Sequence, residues 1–212
     1  HITLLFTLMA IIFGTSNSFA KEKGVYIRAD IGRANYDSAE TTIISGNGNI
    51  HNSKFHFKDS LSYNLGLGYK INKIFRTDVV FSSRKIDFDL SPVTTTVLIT
   101  PKTASIDSES LMLSGYVNIL PIFSQDESVI NPYISAGIGR TKNKMDTVNT
   151  NFGTILGADS ESFSWKLALG VDLKLTDNVS LDFSYSHNDL GEVKMGNGGT
   201  VFVNGLRTPG SA

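Results

Sequence analysis

Residues 60–71 alternate without a break. Leu61, Tyr63, Leu65, Leu67, Tyr69 and Ile71 share one parity, and Ser60, Ser62, Asn64, Gly66, Gly68 and Lys70 share the other. A period of two belongs to an extended strand, whose successive side chains point to opposite faces; a helix repeats at about 3.6. Residues 163–175 do the same, with Phe163, Trp165, Leu167, Leu169, Val171, Leu173 and Leu175 set against Ser164, Lys166, Ala168, Gly170, Asp172 and Lys174. Val179, Leu181, Phe183 and Tyr185 oppose Ser180, Asp182, Ser184 and Ser186. Near the start, Val25, Ile27, Ala29 and Ile31 oppose Tyr26, Arg28, Asp30 and Gly32. Looser alternation over 75–84, 109–119 and 132–142 brings the readable strands to seven.

Length decides what kind of strand these are. A tilted membrane-crossing strand needs about 9–11 residues, whereas strands of globular proteins average about 5–6. The segments here run to about ten or more, which favours the membrane. Their connections point the same way. Segments 37–58, 89–107, 143–161 and 191 onward read as long loops, 120–130 as intermediate, and 72–74 and 176–178 as tight turns. Short turns at one end and long loops at the other are the asymmetry of transmembrane barrels. The long segments are rich in Asn, Ser, Thr, Gly and Asp, which solvate backbone.

Charge then separates the two faces. Arg28, Asp30, Lys70, Arg76, Asp78, Arg84, Lys166, Asp172, Lys174 and Asp182 all share the face opposite the aliphatic one. An Arg or Lys facing lipid at the midplane costs about 2–4 kcal/mol. These ten are therefore expected to point into the lumen and pair there as a structural ion network. An eight-stranded barrel is only wide enough for side chains, so a packed plug is expected and not a pore. Gly32, Gly66, Gly68, Gly137, Gly139 and Gly170 on that face leave room for long side chains, while Tyr63, Tyr69, Phe75, Phe163, Trp165 and Tyr185 are expected near strand ends as interfacial aromatics. A soluble sandwich or lipocalin-like barrel would share the alternation; strand length and loop asymmetry argue against it.

The expected fold is thus all-β: an antiparallel up-and-down transmembrane β-barrel of eight strands. Seven strands leave two bare edges, which hydrocarbon does not tolerate. The eighth is expected beyond Ala212, with the sequence a fragment at both ends; Thr200-Val201-Phe202-Val203 is a poorer closing strand. The apolar run Leu4–Phe13 is too short to span as a helix, and Ser18-Phe19-Ala20 is a small-x-small cleavage signature. Residues 1–20 read as a signal peptide cut between Ala20 and Lys21, leaving 21–212 as the barrel domain. The chain has no cysteine and a formal net charge of −1. Disulfide scaffolds and thiolate metal sites are excluded, and no global field suggests nucleic acid.

No catalytic set, cofactor site or metal site is expected. His51 and His56, five apart with Asp59 nearby, make at most a weak metal-like grouping in a loop. Ser186 and His187 are adjacent on a strand and point to opposite faces, which breaks any hydrolase arrangement with Asp182 or Asp189.

Several short segments carry a family likeness: Leu65-Gly66-Leu67-Gly68-Tyr69, Phe75-Arg76-Thr77-Asp78, Leu113-Ser114-Gly115-Tyr116-Val117-Asn118, Pro132-Tyr133-Ile134-Ser135-Ala136-Gly137-Ile138-Gly139 and Tyr185-Ser186-His187-Asn188-Asp189-Leu190-Gly191. Over roughly residues 24–191 the chain resembles the small opacity-type outer-membrane barrels of Gram-negative bacteria, and among them the rickettsial surface adhesins. The resemblance implies an eight-stranded closed barrel in the outer membrane and attachment to host proteins through exposed loops. A membrane-stabilising barrel and a small porin are the competing expectations. The expected partners are outer-membrane lipid and host surface proteins, with the barrel a monomer.

Overall fold

The computed structural model describes residues 9–10, 23–36, 39–44, 50–92, 103–123, 128–150, 153–155, 157–191, 193 and 207–209. Seven long strands run in chain order: β1 (Gly24–Ala34), β2 (Ser60–Lys70), β3 (Phe75–Pro92), β4 (Thr103–Asn118), β5 (Ile130–Met145), β6 (Asp159–Lys174) and β7 (Ser180–Asp189). Each is antiparallel to the next and hydrogen-bonded to it, an uninterrupted meander. Met9–Ala10 pairs with the free edge of β1, and Arg207–Pro209 with the free edge of β7. Among the described residues β1 and β7 do not pair with each other. The expected cleavage site at Ala20 and Lys21, and the segment 200–203, lie outside the described residues.

Side chains at the two tight ends make the turns. The Asn72 side-chain oxygen accepts hydrogen bonds from the backbone N–H groups of Ile74 and Phe75, at 2.8 and 2.7 Å. At the other tight turn the Thr176 hydroxyl accepts from Asn178 and Val179, at 3.2 and 3.1 Å. Short polar side chains that bond their own backbone a few residues on are what such turns require. The third connection on this side holds a single helical turn, Leu120–Phe123.

Alternation sorts the faces as the sequence implies. Leu65, Leu67, Leu113, Ile138, Leu167 and Leu169 all point away from the lumen, and Leu169 is 62% exposed. Such a continuous apolar wall is untenable in water and is what lipid solvates. On β2 the outward apolar series runs from Leu61 to Ile71. At about 3.4 Å per residue and a tilt near 40°, that covers about 25 Å of bilayer.

The strands do not stop where the apolar wall does. β3 continues to Pro92, β4 begins at Thr103, β5 reaches Met145 and β6 starts at Asp159. Two of the expected long loops are also partly β-structure. Ala39–Ile44 and Ile50–Phe57 form a hairpin whose second strand pairs with the far half of β3, from Phe57↔Phe88 to Ser53↔Pro92. Val148–Thr150 and Gly153–Ile155 form a second, smaller hairpin. Within the loops expected at 37–58, 89–107 and 143–161, the described residues are therefore in large part strand. Above the bilayer water could satisfy the backbone, so what favours continued pairing there is side-chain packing, with apolar contacts inside and ion pairs outside.

In this far half the polarity of the wall inverts. Ile86, Phe88, Ala104, Ile106 and Met145 point inward and pack with Leu190 and Val193 into a buried apolar cluster, with Tyr36 and Phe57 against it. The Phe57 ring lies 5.9 Å from Phe88 and 6.2 Å from Tyr36, centroid to centroid. Outward at the same level stand Lys85, Asp87, Asp107, Glu109, Lys142, Lys144, Asp159 and Glu161. The molecule is greasy outside where it meets lipid and greasy inside where it meets water.

Candidate functional site

Two features stand out as sites, one inside the barrel and one above the bilayer. The interior site is built on lumen-facing residues of six strands. The Arg28 guanidinium donates Nε and Nη2 to Asp30, at 3.1 and 2.8 Å, and Nη1 to Asp78 at 3.1 Å and to the Tyr116 hydroxyl at 2.6 Å. Arg76 spans the lumen from β3 to reach Asp172 on β6 at 3.0 Å and Asp182 on β7 at 3.1 Å. Tyr133 donates its hydroxyl to Asp182 at 2.6 Å, and Tyr26 donates to Asp78 at 3.2 Å. The Arg76 guanidinium also sits 4.6 Å from the ring centres of both Tyr116 and Tyr133, held between two aromatic faces. Bonds from β3 to β6 and β7 require the sheet to curl until its two ends face each other across the lumen.

Two arginines thus hold all four strand aspartates of the expected network. Arginine suits this: its planar fork supplies several donors in fixed directions, so one side chain can hold two carboxylates and still stack on rings. Desolvated ions are costly unless every partner is in place. The lock meets most of that demand with charge-assisted hydrogen bonds and phenol donors, leaving Arg76 Nε, Asp78 Oδ1 and Asp172 Oδ1 buried without a partner among the described residues.

The other four expected members are placed elsewhere. Arg84 is buried but stands above the lock, nearer the apolar cluster. Lys166 lines a cavity together with Arg28, Asp30 and Arg84. Lys70 sits at the end of β2 and is exposed. Lys174 bonds Asp177 in the tight turn at 3.0 Å. The flexible ammonium near a strand end reaches water more cheaply than it reaches the centre.

Sequence reasoning missed the three tyrosines. Tyr26, Tyr116 and Tyr133 all have lumenal parity, and that parity was the available signal. The tyrosines expected at the lipid interface are Tyr63, Tyr69 and Tyr185, a role that fits their outward exposure. Trp165 and His187 are also outward neighbours, with ring centroids 5.5 Å apart, while Ser186 is buried on the other face. His56 is exposed, and the side chain of His51 lies outside the described residues.

The outer site is the wall above the apolar belt. Reading across paired positions from β3 to β6, the row Phe81–Leu111–Arg140–Phe163 is followed by Ser83–Glu109–Lys142–Glu161 and then Lys85–Asp107–Lys144–Asp159. Signs alternate along the last row. Diagonal ion pairs tie the rows together: Arg140 to Glu161 at 2.9 Å and Lys142 to Asp159 at 3.3 Å. One step along the strands takes the wall from hydrocarbon chemistry to salt chemistry. This platform carries the hairpin Ala39–Phe57 beside β3.

Known proteins share this pattern. The profile of the family described as "Outer membrane protein beta-barrel domain" matches residues 6–206. Outer membrane protein PagN of Salmonella typhimurium is 31% identical over 88 residues, which cover 40% of this chain and 35% of that protein. An uncharacterized protein of Brucella abortus is 28% identical over 155 residues, 63% of this chain and 52% of its own length. The chain thus spans about a third to a half of these two relatives. A protein of Rickettsia felis, provisionally named an adhesin, is 24% identical over 220 residues, 96% of this chain and 92% of its own. With the greasy outer wall, ionic lumen and meander topology on one chain, the protein belongs to the outer-membrane β-barrel family of Gram-negative bacteria.

Proposed function

We propose that this barrel is a non-enzymatic surface protein that displays β-structured loops for attachment to host surface proteins. The observation that carries the proposal is the extension of β3, β4, β5 and β6 beyond the apolar wall into a salt-bridged platform with its own apolar core. A barrel needed only as a membrane staple can turn back at the lipid border. Long, ordered structure above it suits presentation of a binding surface on a rigid scaffold. The provisional name of the Rickettsia felis relative, which matches along nearly its whole length, supports the same function. The barrel is proposed to act as a monomer in outer-membrane lipid.

Two layers speak against a small porin. The Arg28–Arg76 lock crosses the lumen, and the Ile86–Phe88–Ile106–Met145 cluster fills it again above. The test is attachment of a non-adherent Gram-negative strain displaying the protein. Replacing 39–57 and 147–157 by two-residue turns, in a barrel that still folds and reaches the surface, should abolish binding to host cells. Undiminished attachment by that double deletion would sink the adhesin proposal and leave a membrane-stabilising barrel.

A further inference from the structure

Between the lock and the apolar cluster lies a layer of different chemistry. Two inward rows cross the wall from β2 to β6: Ser62–Arg84–Ser108–Asn143–Ser160 and Asn64–Ser82–Ser110–Thr141–Ser162. Nine of these ten residues are hydroxyl or amide side chains, and Arg84 is the single ion. Arg84 is 6% exposed, and its Nε and Nη1 have no hydrogen-bond partner among the described residues. The Tyr36 phenol lies beside it. No ion pair joins it to the lock, where Asp30, Asp78, Asp172 and Asp182 pair with Arg28 and Arg76. The hydroxyls of Ser62, Ser108, Ser110 and Thr141 are likewise buried without partners among the described residues.

A buried charge without a counter-charge is strongly disfavoured, and so is a buried donor without an acceptor. Among the described residues this layer presents both, and what it lacks there is an acceptor carrying negative charge. Arg84 borders a cavity of about 30 Å³ lined also by Arg28, Lys166 and Asp30, three cations against one carboxylate that Arg28 already holds. That is room for about two water-sized particles. We propose that Arg84 and the hydroxyl layer around it hold a small inorganic anion of the halide class inside the barrel.

The test follows thermal unfolding of the refolded chain in detergent, read by the fluorescence of Trp165, the single tryptophan. Sodium chloride or bromide is titrated against sodium gluconate at constant ionic strength. A bound halide raises the midpoint along a saturating curve, because a ligand specific to the folded state stabilises it by mass action. Arg84→Gln should flatten that curve. Arg33→Gln, which breaks an exposed pair with Asp59, should leave it unchanged. A wild-type midpoint indifferent to halide, or the same saturating response in Arg84→Gln, overturns the proposal. Should Arg84→Gln fail to refold, Arg84→Lys decides with the wild type: a weakened but saturable response is expected, and an identical one overturns it.

Discussion

The Tyr133 ring occupies the space that a side chain on Gly170 would need. A Cβ built on Gly170 would stand 2.4 Å from Tyr133 Cζ, closer than any real contact. The same relation holds between Tyr26 and Gly68, at 2.2 Å. In each case a tyrosine lies across a glycine on the next strand and bonds an aspartate on the strand after: Tyr26 over Gly68 to Asp78, Tyr133 over Gly170 to Asp182. The glycines are gaps that the lock is built through.

Filling either gap should therefore loosen the lock. Gly170→Ala and Gly68→Ala are expected to cost about 1–3 kcal/mol each, the usual penalty for forcing volume into a packed interior. Gly115→Ala, at a strand position with nothing within 4 Å of a new Cβ, is the control and should be neutral. Urea unfolding in detergent measures all three. Equal stability of Gly170→Ala and Gly115→Ala would contradict the packing described.

Arg76 should be the most expensive lumenal side chain to remove. Arg76→Leu strands Asp172 and Asp182 without their cation, and breaking a buried pair this way costs about 3–5 kcal/mol. Adding Asp172→Asn and Asp182→Asn to Arg76→Leu should recover part of that loss. Unfolding free energies of the single and triple variants give the comparison; no recovery would mean that the ring stacking, not the ion pairs, dominates.

The outer wall offers a positional test of the lipid border. Leu67→Arg and Leu169→Arg place a guanidinium in hydrocarbon and should cost about 2–4 kcal/mol. Lys142→Leu, one row above the apolar wall, should change stability by less than about 1 kcal/mol, as exposed ion pairs contribute little. Similar losses at Leu169 and Lys142 would place the border elsewhere.

Conductance should be low. In planar bilayers the refolded chain is expected to show no stable large steps, because the lumen is obstructed at two levels. Arg76→Gly together with Ile86→Gly and Phe88→Gly, if it folds, should raise leakage above wild type. Large steady channels in the wild type would contradict the arrangement of the lock and the apolar cluster.

The seven strands were readable because period two is a local signal, and the membrane makes each strand long enough to see it. Their outer ends were not. Lys85-Ile86-Asp87-Phe88-Asp89 still alternates, but with the apolar residues on lumenal parity. Tracking one greasy face from lipid outward gives a strand that ends at residue 84, while the backbone runs on to Pro92. The change of solvent flips the phase without breaking the period. Within the interior, aspartates and arginines were identifiable from parity alone. Which of them meet was not, because Arg76 finds its partners 96 and 106 residues away across a curl of sheet. Arg84 and Lys166 share the parity of the lock and line a cavity with Arg28 and Asp30, but among the described residues no ion pair joins either to it.

The switch in wall chemistry between Phe81 and Lys85 also fixes immersion depth. Sinking the protein by one pair of residues would drag Lys142 and Glu161 into hydrocarbon, and raising it would bare Phe81 and Phe163 to water. The barrel therefore floats at a single draught, and the hairpin beside β3 is carried at a constant height above the lipid headgroups.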